Sequence, residues 1–128
     1  IFNNGKMIRD FTYIDDIVES LLRLSKIPAR SDFSFDKTKP KPSTSWAPHR
    51  IFNIGNSNPI KLIDYIKAIE EELGIKAQKI MREMQPGDVE ATSANTAKLE
   101  EWINFKPQTS VKFGVKKFIN WYKNYYGF

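Results

Sequence analysis

Residues 9–17, Arg9-Asp10-Phe11-Thr12-Tyr13-Ile14-Asp15-Asp16-Ile17, carry the most information in this chain. A short strand from Arg9 to Tyr13 is predicted to lead directly into a helix, with two aspartates in the first turn, where negative charge suits the helix dipole. The start of a helix offers free backbone N–H groups, and a nearby arginine adds a charged, bidentate donor, so this stretch suits an anion such as a diphosphate. The alternative is that Arg9 only forms a surface ion pair with Asp10.

A second stretch, Gln85-Pro86-Gly87-Asp88-Val89, follows at long range. It predicts a tight turn followed by a carboxylate. Because carboxylate oxygens only accept hydrogen bonds, Asp88 suits a ligand with paired hydroxyls, such as a ribose. A plain surface turn is the alternative, since such turns are common.

Apolar periodicity predicts four helices. The first spans residues 14–27, is amphipathic and ends at Pro28, and the second follows Pro59 and closes at Gly74. Asn95 or Thr96 is predicted to cap a short third helix, and Thr109 a last one. The apolar positions of the four helices are, in order, Ile14, Ile17, Val18, Leu21, Leu22 and Leu24; Ile60, Ile63, Ile66, Ile69 and Leu73; Ala97, Leu99, Trp102 and Ile103; and Val111, Val115, Phe118, Ile119 and Tyr122.

Strands are fewer and weaker than helices. Residues 51–55 are predicted to form a buried strand, residues 77–84 a second strand with Ile80 turned toward the core, and residues 88–94 an extended segment. Residues 29–48 are rich in proline, serine and lysine and are predicted to be a flexible surface loop. The pattern is α/β, with too few strong strands for a complete doubly wound sheet.

Composition narrows the function classes. The 128 residues fit one domain, and the absence of cysteine excludes disulfides and thiolate metal sites and favours a cytoplasmic location. A single histidine, His49, cannot build a common zinc site, so no metal site is expected. We expect no membrane-spanning segment. The net charge of +5 is scattered along the chain, which favours a solvated surface over nucleic-acid binding.

Five segments of the chain occur in an order that is more specific for a protein family than any one of them alone. They are residues 9–17, Phe52-Asn53-Ile54-Gly55-Asn56, residues 85–89, Phe105-Lys106-Pro107 and Trp121-Tyr122. In this order they resemble the extended short-chain dehydrogenase/reductases of the NAD-dependent epimerase/dehydratase family, and most of all the UDP-glucuronate 4-epimerases of capsule polysaccharide biosynthesis. The resemblance covers nearly the whole chain except about residues 30–46. It implies that residues 1–128 form the C-terminal nucleotide-sugar-binding domain of such an enzyme, with an incomplete Rossmann sheet.

The resemblance also implies a site. Arg9 would contact the diphosphate, Phe11 would lie near the uracil, and Asp88 would hold the ribose hydroxyls, while Leu62 would pack against the nucleotide. Gln85 stands where galactose-type relatives carry a phosphate-binding arginine, so diphosphate binding would depend more heavily on Arg9.

The same resemblance limits what this chain does alone. The family's NAD-binding loop and its catalytic tyrosine and lysine belong to a preceding Rossmann half, and the chain has no glycine-rich phosphate loop and no tyrosine followed four residues later by lysine. We therefore expect no catalytic or cofactor-binding residue here and an inert fragment. Loss of the Rossmann half should expose an apolar face that favours self-association. A related dehydratase or decarboxylase, and a non-enzymatic basic module that binds nucleic acid or another anion, are the alternatives.

Overall fold

The computed structural model describes all residues, Ile1–Phe128, and is built mainly of helices. A 3-10 turn, Phe2–Gly5, precedes strand β1, Ile8–Arg9, which leads into helix α1, Ile14–Lys26. Strand β2, Ile60–Lys61, runs into helix α2, Leu62–Leu73, and helices α3, Ala97–Ile103, and α4, Val111–Tyr126, follow. The expected helix-rich α/β fold with an incomplete sheet is confirmed.

The sheet has only two strands. β1 and β2 are antiparallel, with Ile8 opposite Lys61 and Arg9 opposite Ile60. The segment after the Pro86-Gly87 turn lies on the other side of β1, where Ala91 forms a single parallel bridge with Ile8. β1 is therefore the meeting point of chain segments about 50 and 80 residues apart in sequence.

Helix α1 has the predicted bounds but an unexpected orientation. Its apolar stripe faces away from the rest of the chain, with Ile14, Val18, Leu21 and Leu22 between 45% and 60% exposed. The buried positions are Asp16 and Ser20, at 8% and 0% exposure. An amphipathic helix normally buries its apolar stripe, so this face of α1 is left without the apolar partner that its pattern demands.

The small core lies around α3 and α4. Its buried apolar side chains are Met7, Leu99, Ile103, Val115 and Ile119. Packing of α4 against α2 supplies most of the contact between helices. Two other residues of the predicted α4 stripe, Phe118 and Tyr122, are 54% and 39% exposed, so that part of the prediction is wrong. Near the C-terminus the aromatic rings stack on one another instead, as do Trp121 and Tyr125 at 5.4 Å between ring centroids.

The predicted strand from Arg9 to Tyr13 is wrong beyond Arg9, because β1 covers only Ile8–Arg9, and the two longer predicted strands are absent. Residues 51–55 and 77–84 have no regular structure, and Ile80 is 68% exposed rather than turned toward the core. A strand needs a neighbour that presents free N–H and C=O groups in register. The neighbour of residues 77–84 is the turn Phe2–Gly5, which is not extended because two of its asparagines have positive φ. Only isolated hydrogen bonds form between the two segments, such as Arg82 N–H to the Ile1 carbonyl at 2.9 Å.

The helix ends differ slightly from expectation. Ile60 belongs to β2 and not to α2, and α2 ends at Gly74 with φ 71° as predicted. The cap of α4 is Ser110 rather than Thr109, because the Ser110 hydroxyl accepts a hydrogen bond from Phe113 N–H at 3.3 Å. At α3, Asn95 Oδ1 accepts a hydrogen bond from Ala97 N–H at 3.2 Å. None of the four α-helices combines the length and the hydropathy that a membrane span requires.

Residues 29–48 contain no helix, and local turns give them their shape. Asp32 accepts hydrogen bonds from the hydroxyl and N–H of Ser34, and Asp36 does the same with Thr38. These bonds stabilise the charged form, so the pKa of each carboxyl lies below its ordinary value. An isolated antiparallel bridge between Thr44 and Arg50 closes the loop.

Candidate functional site

Arg9 and Asp88, 79 residues apart, meet in a salt bridge. Arg9 Nη2 lies 2.9 Å from Asp88 Oδ1, with the side chains 23% and 33% exposed. The contact forms because β1 holds Arg9 beside the segment that follows the Pro86-Gly87 turn, through Ile8 N–H donating to the Glu90 carbonyl at 2.9 Å. The two residues predicted to hold one ligand thus lie together, and Arg9 does not pair with Asp10.

The guanidinium of Arg9 is almost fully used within the chain. Nη1 donates to the carbonyls of Ile8 and Glu90 at 2.8 and 3.1 Å, and Nη2 donates to Asp88 and to the Val89 carbonyl at 2.9 Å each. Arginine has five N–H donors, so only the Nε donor is left without a hydrogen-bond partner. An anion that binds Arg9 in a bidentate manner must therefore replace at least one of these acceptors, and Asp88 is the only side-chain oxygen among them.

The turn that carries Asp88 is well defined. Asp88 N–H donates to the Gln85 carbonyl at 3.2 Å, with Pro86 and Gly87 at the corners. Gly87 has φ 84°, which glycine adopts without strain. The exposed side-chain amide of Gln85 makes no hydrogen bond within the chain, and Asp88 uses only Oδ1, which also accepts from Val89 N–H at 2.7 Å. Asp88 Oδ2 and the Gln85 amide are both free to meet a ligand.

Phe11 follows β1 by two residues and Leu62 follows β2 directly, so both lie next to the two-stranded sheet that carries Arg9. The Phe11 ring stacks on Tyr65 of α2, with 4.1 Å between centroids and 10° between planes. Both rings line a mostly apolar cleft of about 210 Å³ between the start of α1 and helix α4. Leu62 begins α2, where its N–H donates to the Met7 carbonyl at 2.8 Å, and it does not line the cleft.

Tyr13 also lines this cleft, although no sequence pattern had assigned it a role. Burial raises the pKa of its phenol, and the nearby Asp15 carboxylate adds to the effect. The phenol is neutral at its ordinary pKa of about 10, and the raised pKa keeps it a hydrogen-bond donor over a wider pH range.

Two aspartates of the 9–17 stretch position the site instead of binding a ligand. Asp10 accepts hydrogen bonds from the N–H groups of Ser57, Asn58 and Ala94, between 3.0 and 3.3 Å, and so joins three segments. Asp16, predicted only to favour the helix start, accepts from Thr109 N–H at 2.9 Å and fixes the entry to α4. The role of Asp10 could have been inferred from the Gly55-Asn56-Ser57 turn, because turns of this kind present free N–H groups from which a carboxylate can accept hydrogen bonds.

The described residues do not form a dinucleotide site. No glycine-rich loop is present, and no group of three metal-binding side chains occurs. We therefore assign no step of cofactor chemistry to this chain.

Comparisons with known proteins agree with the motif order and the fold. A family profile described as GDP-mannose 4,6 dehydratase matches residues 1–118. Protein CapI of Staphylococcus aureus is 46% identical over 98% of this chain, and a probable UDP-glucuronate 4-epimerase of Rhizobium meliloti is 39% identical over 98%. The chain spans 38% and 37% of the lengths of these two relatives.

Solved structures show the same fold. The UDP-glucuronic acid 4-epimerase of Bacillus cereus, in complex with UDP-glucuronic acid and NAD, is 25% identical and superposes with a TM-score of 0.71 over 98% of this chain and 35% of its own. The family profile matches well over half of the chain, and the fold of the chain superposes on that of this relative. The chain therefore belongs to the GDP-mannose 4,6 dehydratase family of extended short-chain dehydrogenase/reductases, which contains nucleotide-sugar epimerases and dehydratases.

Proposed function

We propose that residues 1–128 are the nucleotide-sugar-binding domain of an NAD-dependent UDP-glucuronate 4-epimerase that serves capsule or other cell-surface polysaccharide synthesis. The observation that carries the proposal is the meeting of Arg9 and Asp88 at β1, in a chain related to proteins named as UDP-glucuronate 4-epimerases. In the whole enzyme, NAD⁺ would be held by the part of the protein outside residues 1–128 and would supply a reversible hydride acceptor for C4 of the sugar.

The residues of this chain would bind and orient the substrate. Arg9 would exchange Asp88 for the diphosphate, since charge-assisted bonds to phosphate suit its planar guanidinium. Asp88, released from Arg9, would accept hydrogen bonds from the ribose hydroxyls. Gln85 would contact the diphosphate from the same turn, and Phe11 and Leu62 would pack near the uracil and nucleotide.

The exposed stripe of α1, formed by Ile14, Val18, Leu21 and Leu22, would pack against the nucleotide-binding half of the parent enzyme. The relatives are more than twice as long as this chain, so enough protein is available to cover the stripe. A contiguous apolar surface of this kind favours association in water. The chain alone is therefore expected to self-associate, and a monomer that persists at millimolar concentration in analytical ultracentrifugation would contradict this assignment.

Dehydratase chemistry is the second candidate, because the matching family profile describes a dehydratase. Incubation of the full-length enzyme with UDP-glucuronate and NAD⁺, followed by NMR of the sugar products, separates the two. We expect an equilibrium mixture of the substrate and its C4 epimer with all six carbons and the C6 carboxylate kept. A deoxy-keto product or loss of CO₂ would refute epimerisation.

A further inference from the structure

A second, larger cleft lies away from the site described above. Its volume is about 670 Å³, and it is formed by the end of α1, residues of the 29–50 loop and the outer face of α3. None of Arg9, Phe11, Leu62, Gln85 and Asp88 lines it. This volume falls within the range of small-molecule sites, which is about 300–1,000 Å³.

The charges of the cleft are unbalanced. Lys26, Arg30, Arg50 and Lys98 line it together with a single carboxylate, Glu101. The chain has seven ion pairs, and none of them uses any of these five side chains. Hydrogen bonds from Ser34 lower the pKa of the Asp32 carboxyl, and Asp32 lies close enough to Arg50 for the guanidinium to lower it further, so two carboxylates, Glu101 and Asp32, stand against four cations. The excess of positive charge in one concave surface raises the local potential, which an anionic ligand would neutralise.

Arg50 is held in place for such a role. The isolated bridge to Thr44 fixes its backbone, and Nη1 donates to the His49 carbonyl at 2.8 Å. Its guanidinium lies over the Trp102 ring, 5.8 Å from the centroid. Trp102 is in turn fixed by its indole N–H, which donates to the Ile27 carbonyl at 3.2 Å. Only one of the five N–H donors of Arg50 is used within the chain, so four remain for a ligand.

We infer that this cleft binds a ligand with a chain of phosphate groups. A planar guanidinium with free donors recognises phosphate in a bidentate manner, and the neighbouring lysines add point charges. A short polyphosphate concentrates three or more negative charges in a volume that the cleft admits. The phosphate chain can come from inorganic polyphosphate or from a nucleoside triphosphate, and the relative affinities of tripolyphosphate and UTP distinguish these sources.

The test is a titration of the isotope-labelled chain, followed by NMR, with sodium tripolyphosphate, UTP and citrate in separate arms. We expect saturable binding of tripolyphosphate, with the largest shifts at residues 26–30, 50–52 and 98–102 and weaker ones at Arg9. If UTP binds at least tenfold more tightly than tripolyphosphate at the same residues, the nucleotide is the source of the phosphate chain. Equal affinities point to inorganic polyphosphate. Citrate that binds as tightly as tripolyphosphate would overturn the phosphate assignment, as would UTP binding without tripolyphosphate binding.

Variants separate a built site from general attraction to a basic protein. Arg50→Gln and Lys98→Gln should each weaken tripolyphosphate binding by about tenfold, because each removes a charge-assisted contact. Lys98 is exposed on a helix, so its replacement tests the site even if Arg50→Gln perturbs folding. Lys116→Gln is the matched control, since Lys116 is an exposed, unpaired lysine of α4 outside the cleft. Equal weakening by all three variants would show diffuse attraction only and would overturn the inference.

Discussion

Replacement of Leu21 by alanine tests whether the apolar stripe of α1 awaits a partner. Leu21 is 54% exposed, so less than half of its side chain gains from burial within this chain. Full burial of a leucine is worth about 2 kcal/mol, which leaves about 1 kcal/mol at most for Leu21 here. Because alanine also has the higher helix propensity, we expect Leu21→Ala to lower the free energy of unfolding of the isolated chain by less than about 1 kcal/mol.

Leu99→Ala is the matched control, since the same atoms are removed from a side chain that is 1% exposed. Leu-to-Ala replacements in cores cost about 2–5 kcal/mol, so this variant should be strongly destabilised or fully unfolded. Urea denaturation followed by far-ultraviolet circular dichroism measures both variants. In the full-length parent enzyme, the cost of Leu21→Ala should rise toward that of Leu99→Ala. A loss of about 2 kcal/mol or more for Leu21→Ala in the isolated chain, or no increase in the parent, would refute the reasoning.

Two further predictions concern the elements that hold the site. Glu70 is 4% exposed and accepts hydrogen bonds from Lys79 Nζ at 2.5 Å and from Ala77 N–H at 2.8 Å. The bond from Lys79 is the main reason that the pKa of the Glu70 carboxyl lies below its ordinary value. A depressed carboxyl pKa stabilises the fold at pH values above the unfolded-state pKa of about 4.3. The urea midpoint of the chain should therefore fall as the pH drops below this value, and it should fall less steeply in Glu70→Gln. Equal pH dependences of the two urea midpoints would contradict the assignment. A Cβ added at Gly55 would lie 2.6 Å from Ala94 Cβ, so Gly55→Ala should cost about 1–3 kcal/mol in thermal or urea unfolding. The double variant Gly55→Ala, Ala94→Gly should recover much of that loss, and absence of recovery would show that another contact is responsible.

The helices were largely predictable from the sequence because their signals are local. Apolar spacing located α1 to α4, and Gly74 marked the end of α2. Strands 51–55 and 77–84 were not predictable in the same way, because a strand forms only where a second segment offers hydrogen bonds in register. Periodicity likewise identified the apolar stripe of α1 but contained no information on which surface covers it.

The sequence indicated candidate residues for the site but not the contacts between them. The motif order brought Arg9 and Asp88 together as residues of one ligand site. It did not show that they bond to each other, because that contact depends on the path of the chain around β1. The roles of Asp10 and Asp16 were missed for the same reason, since their partners Ala94 and Thr109 lie far along the sequence.

Titration of the isotope-labelled chain with UDP, followed residue by residue in NMR spectra, tests the central claim most directly. We expect weak, millimolar binding, because only part of the contact set is present to offset the cost of association. The shifts should centre on Arg9 and residues 85–90 and extend to Phe11, and they should vanish in Arg9→Ala. The absence of shifts at these residues at saturating UDP, or shifts that persist unchanged in Arg9→Ala, would contradict the assignment of Arg9 and Asp88 to a nucleotide-sugar site.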